Sequence, residues 1–390
     1  MGGASEPEVP SLLGRVPRAG LGETCVEHRT AAGKVMTTQP TTSSPRSNEL
    51  PDPVGKEVRE VDVLSPSRGL RILILTGDVD GNLGDRAILQ ATCAALSALN
   101  PKLEIEVTAS LAAAELELAA RTIPRGLRGL APLCQAAARS DLILCGGGGL
   151  FQDDDSLVKM PYWCLRTLLV RLFCRRVVGY SLGVGPLRAW TSRLAARVAF
   201  AAMERVTVRD AAAQETAQPL ARKCVSIVPD PALLLAPAPP EEVEQWLAAR
   251  GVVLGRRTIG VAARRWFPPR RRLVPHASGC KFRPASTQLP SDSKRLASGL
   301  AEALDRTIEK HDVDVLLLPS YHASHEGDEA VCGEVRARMH HASRARLLHI
   351  DNPALYKGVV ARLDLMVGGR MHPTIFAAAA STPVVGIAYN

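Results

Sequence analysis

Two side chains near the carboxyl end are suited to acid–base and anion chemistry. Arg370 and His372 follow Gly368-Gly369 and precede Pro373 and the alanine run 377–380. A guanidinium presents a planar fork that matches a carboxylate or phosphate. An imidazole can deliver or accept a proton near neutral pH. The preceding residues (Leu363, Leu365, Met366, Val367) read as a short buried strand stopped by the two glycines. Pro373 fits the first position of a helix, where its missing N–H costs nothing. Pro383-Val384-Val385-Gly386-Ile387 then reads as the next strand. Arg370 and His372 are thus expected on a turn between a strand end and a helix start. Open α/β sheets bind ligands there, and the free helix N–H groups attract anions. The competing reading pairs Arg370 with a nearby Asp and makes His372 a helix cap.

Similar turns recur upstream. Gly81-Asn82-Leu83-Gly84-Asp85 closes a strand and opens a helix, so it can hold a phosphate or a sugar hydroxyl. On its own it reads equally well as a tight turn with Asp85 as helix cap. Gly146-Gly147-Gly148-Gly149-Leu150-Phe151-Gln152-Asp153 lets backbone approach a ligand closely. Its spacing is not the dinucleotide fingerprint, because Phe151 stands where the third glycine belongs, and no lysine-bearing phosphate loop is present. No nucleotide cofactor is therefore expected. The run Asp153, Asp154, Asp155 could hold a metal or sugar hydroxyls, but such runs are commonly solvated loops. Gly183-Val184-Gly185-Pro186, Arg209-Asp210, Asp230-Pro231 and Arg264-Arg265-Trp266 complete a pattern of Gly, Arg and Asp at strand ends. His322, His325, Glu326, Asp328 and Glu329 suggest a metal, yet their spacing is not that of helical zinc ligands. No metal is expected.

The elements that must carry these turns alternate strand and helix. Strands are expected at 70–75, 103–107, 141–145, 177–181, 206–208 and 225–228, and residues 111–139 are read as mostly helical. After Ala236-Pro237-Ala238-Pro239-Pro240, the best linker candidate, the pattern restarts with strands at 258–262, 313–318, 347–350, 363–367 and 383–388. Repeated βα units imply parallel sheets covered on both faces. The architecture expected is α/β, two doubly wound Rossmann-like domains facing each other across a cleft, at 69–236 and 237–390. Residues 1–68, rich in Pro, Ser, Thr and charge, read as a disordered extension. Residues 264–293 read as a long basic insertion, expected to be a mobile loop.

Composition narrows the partners. The chain has 390 residues, 46% hydrophobic, and a formal net charge of +9, which favours anionic partners. Aromatic residues are only 4%, with no basic–aromatic pattern for single strands, so nucleic acid is not expected. The nine cysteines are scattered without a CxxC pair and read as reduced thiols of a cytoplasmic protein. No signal-peptide core or membrane span is evident. Arg166, Arg171, Arg175 and Arg176, in an apolar segment, could touch membrane phosphates. The stronger reading is a core helix whose arginines reach outward.

Taken in order, these pieces resemble the polysaccharide pyruvyl transferase family. The likeness runs over about residues 70–389. It includes Gly81 to Ile88, Cys145 to Phe151, Gly183 to Leu187, Val208-Arg209-Asp210, Asp230-Pro231-Ala232, Arg370-Met371-His372 and Val385 to Tyr389. Arg370-Met371-His372 stands where Arg-Leu-His is commoner. Tyr389-Asn390 ends the sequence where members usually carry Asp and a further helical segment. The resemblance implies a fold similar to two-domain glycosyltransferases of the GT-B type. It also implies transfer of pyruvate from phosphoenolpyruvate to a sugar of a cell-surface polysaccharide, usually as a ketal.

On that basis the second domain is the donor side and the first the acceptor side. Arg264, Gly368, Gly369, Arg370 and His372 are expected to bind the donor, with His372 and Arg370 catalytic. Asn82, Asp85, Gly147, Gly148, Gly149, Asp153 and Arg209 are expected to bind the acceptor, a sugar or lipid-linked oligosaccharide. Peripheral contact with the inner membrane face follows from such an acceptor. Two other functions fit the same pattern: a nucleotide-sugar glycosyltransferase, and a non-catalytic sugar-binding protein.

Overall fold

The computed structural model describes residues 69–112, 115–154, 156–264, 291–322 and 327–388. The expected extension 1–68, the basic insertion from Arg265 to 290, Asp155, His325, Glu326 and Tyr389-Asn390 lie outside the described residues. The described residues belong to one compact unit containing two parallel sheets.

The first half runs β1 (Arg71–Leu75), α1 (Leu83–Leu99), β2 (Glu104–Thr108), β3 (Arg121–Ile123) and α2 (Leu130–Arg139). It continues with β4 (Leu142–Gly146), α3 (Lys159–Phe173), β5 (Val177–Leu182), α4 (Trp190–Ala202), β6 (Arg205–Val208), α5 (Ala211–Ala217) and β7 (Val225–Ile227). The second half has α6 (Pro240–Ala248), β8 (Thr258–Ala262), α7 (Ser291–His311), β9 (Asp314–Leu317), α8 (Asp328–Arg338) and β10 (Ala345–Leu347). It closes with α9 (Pro353–Val360), β11 (Leu365–Gly368), α10 (Met371–Ala379) and β12 (Val384–Gly386).

The central strands β1, β4, β8 and β9 are short runs of β-branched and large apolar residues buried on both faces, as parallel sheets require, whereas edge strands β7 and β12 are largely exposed. The sheet orders are β3-β2-β1-β4-β5-β6-β7 and β10-β9-β8-β11-β12. In both, the first strand lies in the interior and the order reverses beside it, between β1 and β4 and between β8 and β11. Those reversals create the crevice at the strand carboxyl ends where α/β proteins hold ligands.

Three expectations need correction. Only Leu130–Arg139 of the 111–139 stretch is α-helical, and Arg121–Ile123 is a strand on the edge of β2. Three residues are too few to show a period, and β2 supplies the hydrogen bonds that hold them. The tenth strand is Ala345–Leu347, earlier than the expected 347–350, because its register is set by pairing with Val315, Leu316 and Leu317. Pro373 is the third residue of α10, not the first. Its missing N–H still falls within the first turn, where no intrahelical acceptor exists.

The two sheets are joined along α1. Its buried residues Leu83, Ala87, Ile88 and Ala91 pack in one core with Leu316, Tyr356 and Phe376 of the second half. The backbone adds Leu83 N–H to Ser320 O (3.1 Å) and His322 N–H to Gly81 O (2.9 Å). The loop that opens α1 is therefore built by both halves.

Candidate active site at the strand ends

The four loops that follow β1, β4, β8 and β11 carry most of the expected site residues. After β1, Asn82 caps α1, its side chain accepting the Gly84 N–H at 3.0 Å. Asp85 sits in the first turn, accepts the Asp78 N–H at 2.8 Å and is partly buried. Burial pushes the Asp85 carboxyl above its usual range, against the opposing pull of His372. The cap is thus Asn82 and not Asp85, as one reading of the sequence had it; Asp85 is a candidate proton carrier.

The glycine run after β4 wraps this carboxylate. A Cβ on Gly148 would lie 2.3 Å from Asp85 Oδ1, and one on Gly147 would lie 2.3 Å from Ile88. Both glycines have positive φ, +79° and +84°, which other residues rarely adopt. The close approach expected of Gly147 and Gly148 is therefore made to α1, and both are buried. Gly149 is less buried and packs on Gln152. Gly183 N–H bonds Gly148 O at 3.0 Å, tying the loop after β5 to the same run.

Asp153 requires a correction as an acceptor group. It is 4% exposed, and its carboxylate accepts from Arg188 N–H (3.0 and 2.9 Å) and Ala189 N–H (2.8 Å). Both of its oxygens are committed to the chain just before α4. A buried carboxylate so bonded holds backbone rather than sugar.

After β11, Arg370 caps α10, and His372 is buried in the helix's first turn. The imidazole leans on the first half: a Cβ on Gly84 would come within 1.9 Å of His372 Nδ1. Its Nε2 faces Asp230 Oδ2 at 3.7 Å, an ion-pair rather than hydrogen-bond separation. Both atoms are buried without a hydrogen-bond partner among the described residues. Arg209 Nη1 lies 3.7 Å from the same Asp230 oxygen, and Asp230 Oδ1 accepts the Ala232 N–H at 3.0 Å. Burial would raise the Asp230 carboxyl, but His372, the Ala232 N–H and Arg209 outweigh it and hold it below the usual range. Asp230 is therefore an anion at neutral pH, facing the imidazole.

Arg370 has a different partner from the one expected. Its Nε and Nη2 grip Asp328 at 2.9 and 2.7 Å, and Asp328 is fully buried. This is the competing reading of the sequence. The edge of the guanidinium best suited to a carboxylate already holds one. Its Cζ also lies 4.9 Å from the centre of the Tyr321 ring.

Arg264 and Gly369 line a pocket of about 350 Å³ over the ends of β8, β11 and β12, with Ala263, Ile387, Ala388 and, from α7, Asp292, Leu296 and Leu300. A Cβ on Gly369 would sit 3.3 Å from Arg264 N, and one on Gly368 would sit 2.2 Å from Thr374, so both glycines keep this corner open. Among the described residues of the expected metal group, His322 joins a cluster with His349 and Asp351, whose ligand atoms lie within 4.8 Å of one another. Asp328 is taken by Arg370.

Sequence reading noted Asp230 only as one strand-end feature and did not place it in the site. Its signal was an Asp-Pro at a strand end, which marks a cap as readily as a catalytic group. Tyr180 was missed altogether. It borders the void beside Asp85, and burial together with Asp230 raises its hydroxyl pKa.

This is a two-sheet α/β protein of the GT-B kind, with chemistry-bearing loops from both sheets at one junction. Solved structures share the fold. A UDP-GlcNAc 2-epimerase from Methanocaldococcus jannaschii matches at 12% identity and TM-score 0.50, over 82% of this chain and 83% of that one. A glycosyltransferase from Rickettsia africae ESF-5 matches at 10% identity and TM-score 0.50, over 82% and 79%. Among curated proteins none matches significantly. The model of the family described as polysaccharide pyruvyl transferase matches residues 82–390, and the chain belongs to that family of transferases.

Proposed function

We propose that the chain transfers the pyruvyl group of phosphoenolpyruvate to two hydroxyls of a sugar, as a ketal on a glycan or lipid-linked oligosaccharide. The observation that carries this reading is the buried pair His372 Nε2 and Asp230 Oδ2, 3.7 Å apart and each without a hydrogen-bond partner among the described residues. An imidazolium stabilised by a neighbouring carboxylate is a suitable acid for the methylene carbon of the donor. In the first step a C–H bond forms at that carbon and a sugar hydroxyl adds to the adjacent one, giving up its proton. In the second, the C–O bond to phosphate breaks, phosphate leaves with the electron pair, and the other hydroxyl closes the ketal as its proton passes to the departing phosphate.

Arg264, with the backbone at Gly368 and Gly369 and the first N–H groups of α10, would hold the donor's carboxylate and phosphate. Arg370 would act by holding Asp328 and so fixing the loop that presents His372. Asn82, Asp85 and Arg209 would face the acceptor, with Gly147 to Gly149 shaping the wall behind Asp85. Phosphoenolpyruvate is a cytoplasmic metabolite, so this reading places the enzyme in the cytoplasm. The test is release of inorganic phosphate from phosphoenolpyruvate across a panel of lipid-linked and nucleotide-linked sugars, with the ketal identified by mass. Release of a nucleoside diphosphate from a nucleotide sugar instead would make the chain a glycosyltransferase. Acceptor binding with no turnover of either donor would make it a sugar-binding protein.

A further inference from the structure

We infer that the outer face of α2, α3 and α4 is a peripheral membrane-binding surface that seats on an anionic lipid bilayer. Strands β4, β5 and β6 are adjacent and parallel, so the crossover helices α3 and α4 lie side by side, running the same way. They pack against each other, with α2 on the far side of α3. Their inward residues, among them Trp163, Val170, Ala196 and Phe200, fill the core.

Their outward stripes are apolar, where a surface helix should be polar. On α3, Leu165 is 67% and Leu172 79% exposed; on α4, Trp190 is 75% and Leu194 51% exposed. Leu127, just before α2, is 87% exposed. Along α3 and α4 these residues recur at helical spacing, on the side away from the core.

The charge around that face selects the occupant. From Ser156 to Met203 the sequence contains no Asp or Glu, and the same is true from Leu118 to Ser140. Arg175, Arg176, Arg188, Arg193 and Arg197 are all exposed around it. A second copy of the chain docked through a two-fold axis would set these arginines against their own copies, which is unfavourable. An apolar stripe with an aromatic side chain, rimmed by arginines, matches the boundary between acyl chains and anionic headgroups. Arg166 and Arg171 do not join the rim: Arg166 is buried and bonded to the Tyr162 hydroxyl at 2.6 Å, and Arg171 is half-buried and donates to Ala202 O at 3.1 Å. No helix of the described residues is long and apolar enough to cross a membrane, so the contact is peripheral.

The test is co-sedimentation of the full chain with phosphatidylglycerol-containing vesicles and with pure phosphatidylcholine vesicles, read without any turnover. Binding should favour the anionic vesicles at least 10-fold and weaken with salt. The variant Leu165→Gln/Leu172→Gln/Trp190→Gln and, separately, Arg193→Glu/Arg197→Glu should each cut it at least 10-fold. All five positions are exposed, so the thermal transition should stay unchanged. No binding, or equal binding to both vesicles, overturns the inference. So does a concentration-dependent dimer in sedimentation velocity that the triple apolar substitution abolishes, which would assign the face to a second copy. Because vesicle binding is measured apart from phosphate release, its failure and that of the proposed activity are distinguishable.

Discussion

His372 Nε2 and Asp230 Oδ2 face each other at 3.7 Å from opposite halves of the chain, Asp230 beyond the end of β7 and His372 in the first turn of α10. Neither atom has a hydrogen-bond partner among the described residues, and Arg209 reaches the same carboxylate oxygen. The imidazole and the carboxylate that faces it are thus brought together only when both halves are folded. His372→Gln keeps polarity but cannot act as an acid at neutral pH. Turnover should fall by about 10²–10⁴, the range for a lost general acid, with donor affinity little changed. Asp230→Asn should lower turnover with little change in donor affinity, because it removes the anion that faces the imidazole. A His372→Gln enzyme with normal turnover per folded molecule would move the acid to Asp85.

Asp85→Asn should separate stability from activity. Burial raises the Asp85 carboxyl above its ordinary value of 3.8, so folded protein binds this proton more tightly than the unfolded chain. Stability from this group therefore declines as pH rises from about 3.8 through the folded-state pKa. Asn removes that decline while its oxygen can still accept the Asp78 N–H. Thermal melts at neutral pH should show the variant at least as stable as the parent, with turnover reduced. Asp230 has the opposite sign: its lowered pKa adds stability above 3.8 that is lost as the pH falls through its folded value. Asp230→Asn should flatten that acid limb.

Arg370→Ala should cost stability before it costs affinity. It leaves the fully buried Asp328 carboxylate without the guanidinium that grips it. Breaking such a pair costs about 3–5 kcal/mol, measurable as a lower midpoint in urea. Arg370→Met combined with Asp328→Leu should recover much of that stability. Turnover should stay low in the double variant, because the loop bearing His372 loses its tether. Full activity there would remove Arg370 from any role in catalysis.

Gly84→Ala tests the contact between the halves. The added methyl would fall 1.9 Å from His372 Nδ1, so the imidazole or α1 must move. Overpacking of this kind costs about 1–3 kcal/mol. The transition should fall by a few degrees, on the order of 2–4 °C per kcal/mol at this size, and turnover should drop with it. Gly299→Ala, at an exposed position inside α7 with nothing near its Cβ, is the control: turnover should be unchanged and the transition should rise slightly, because Ala favours a helix interior over Gly.

The turns that hold the site were legible because their signals are local. A run such as Ile72 to Leu75, or Leu142 to Cys145, stops at residues that break a strand, and an Asn or Asp at the next helix start supplies its own cap. That logic put Asn82, Asp85, Arg209 and His372 at strand ends before any contact was known. It failed where the element was too short to show a period, as at Arg121–Ile123. It also failed where two helical positions satisfy the same rule, as with Pro373.

What the sequence alone determined is the alternation of strand and helix, the chemical type of each strand-end residue and the family to which they belong. The folded chain alone decided who meets whom. Arg370 has Asp328 as its partner, His372 faces Asp230 and rests on Gly84, Asp153 is spent on the start of α4, and the glycine run encloses Asp85. These pairings join residues 35 to 288 positions apart, or depend on which strand lies beside which. Local sequence fixes backbone geometry through sterics and hydrogen bonding over a few residues. The occupant of a buried space is chosen by packing and charge across the whole core, and no short stretch of sequence carries that choice.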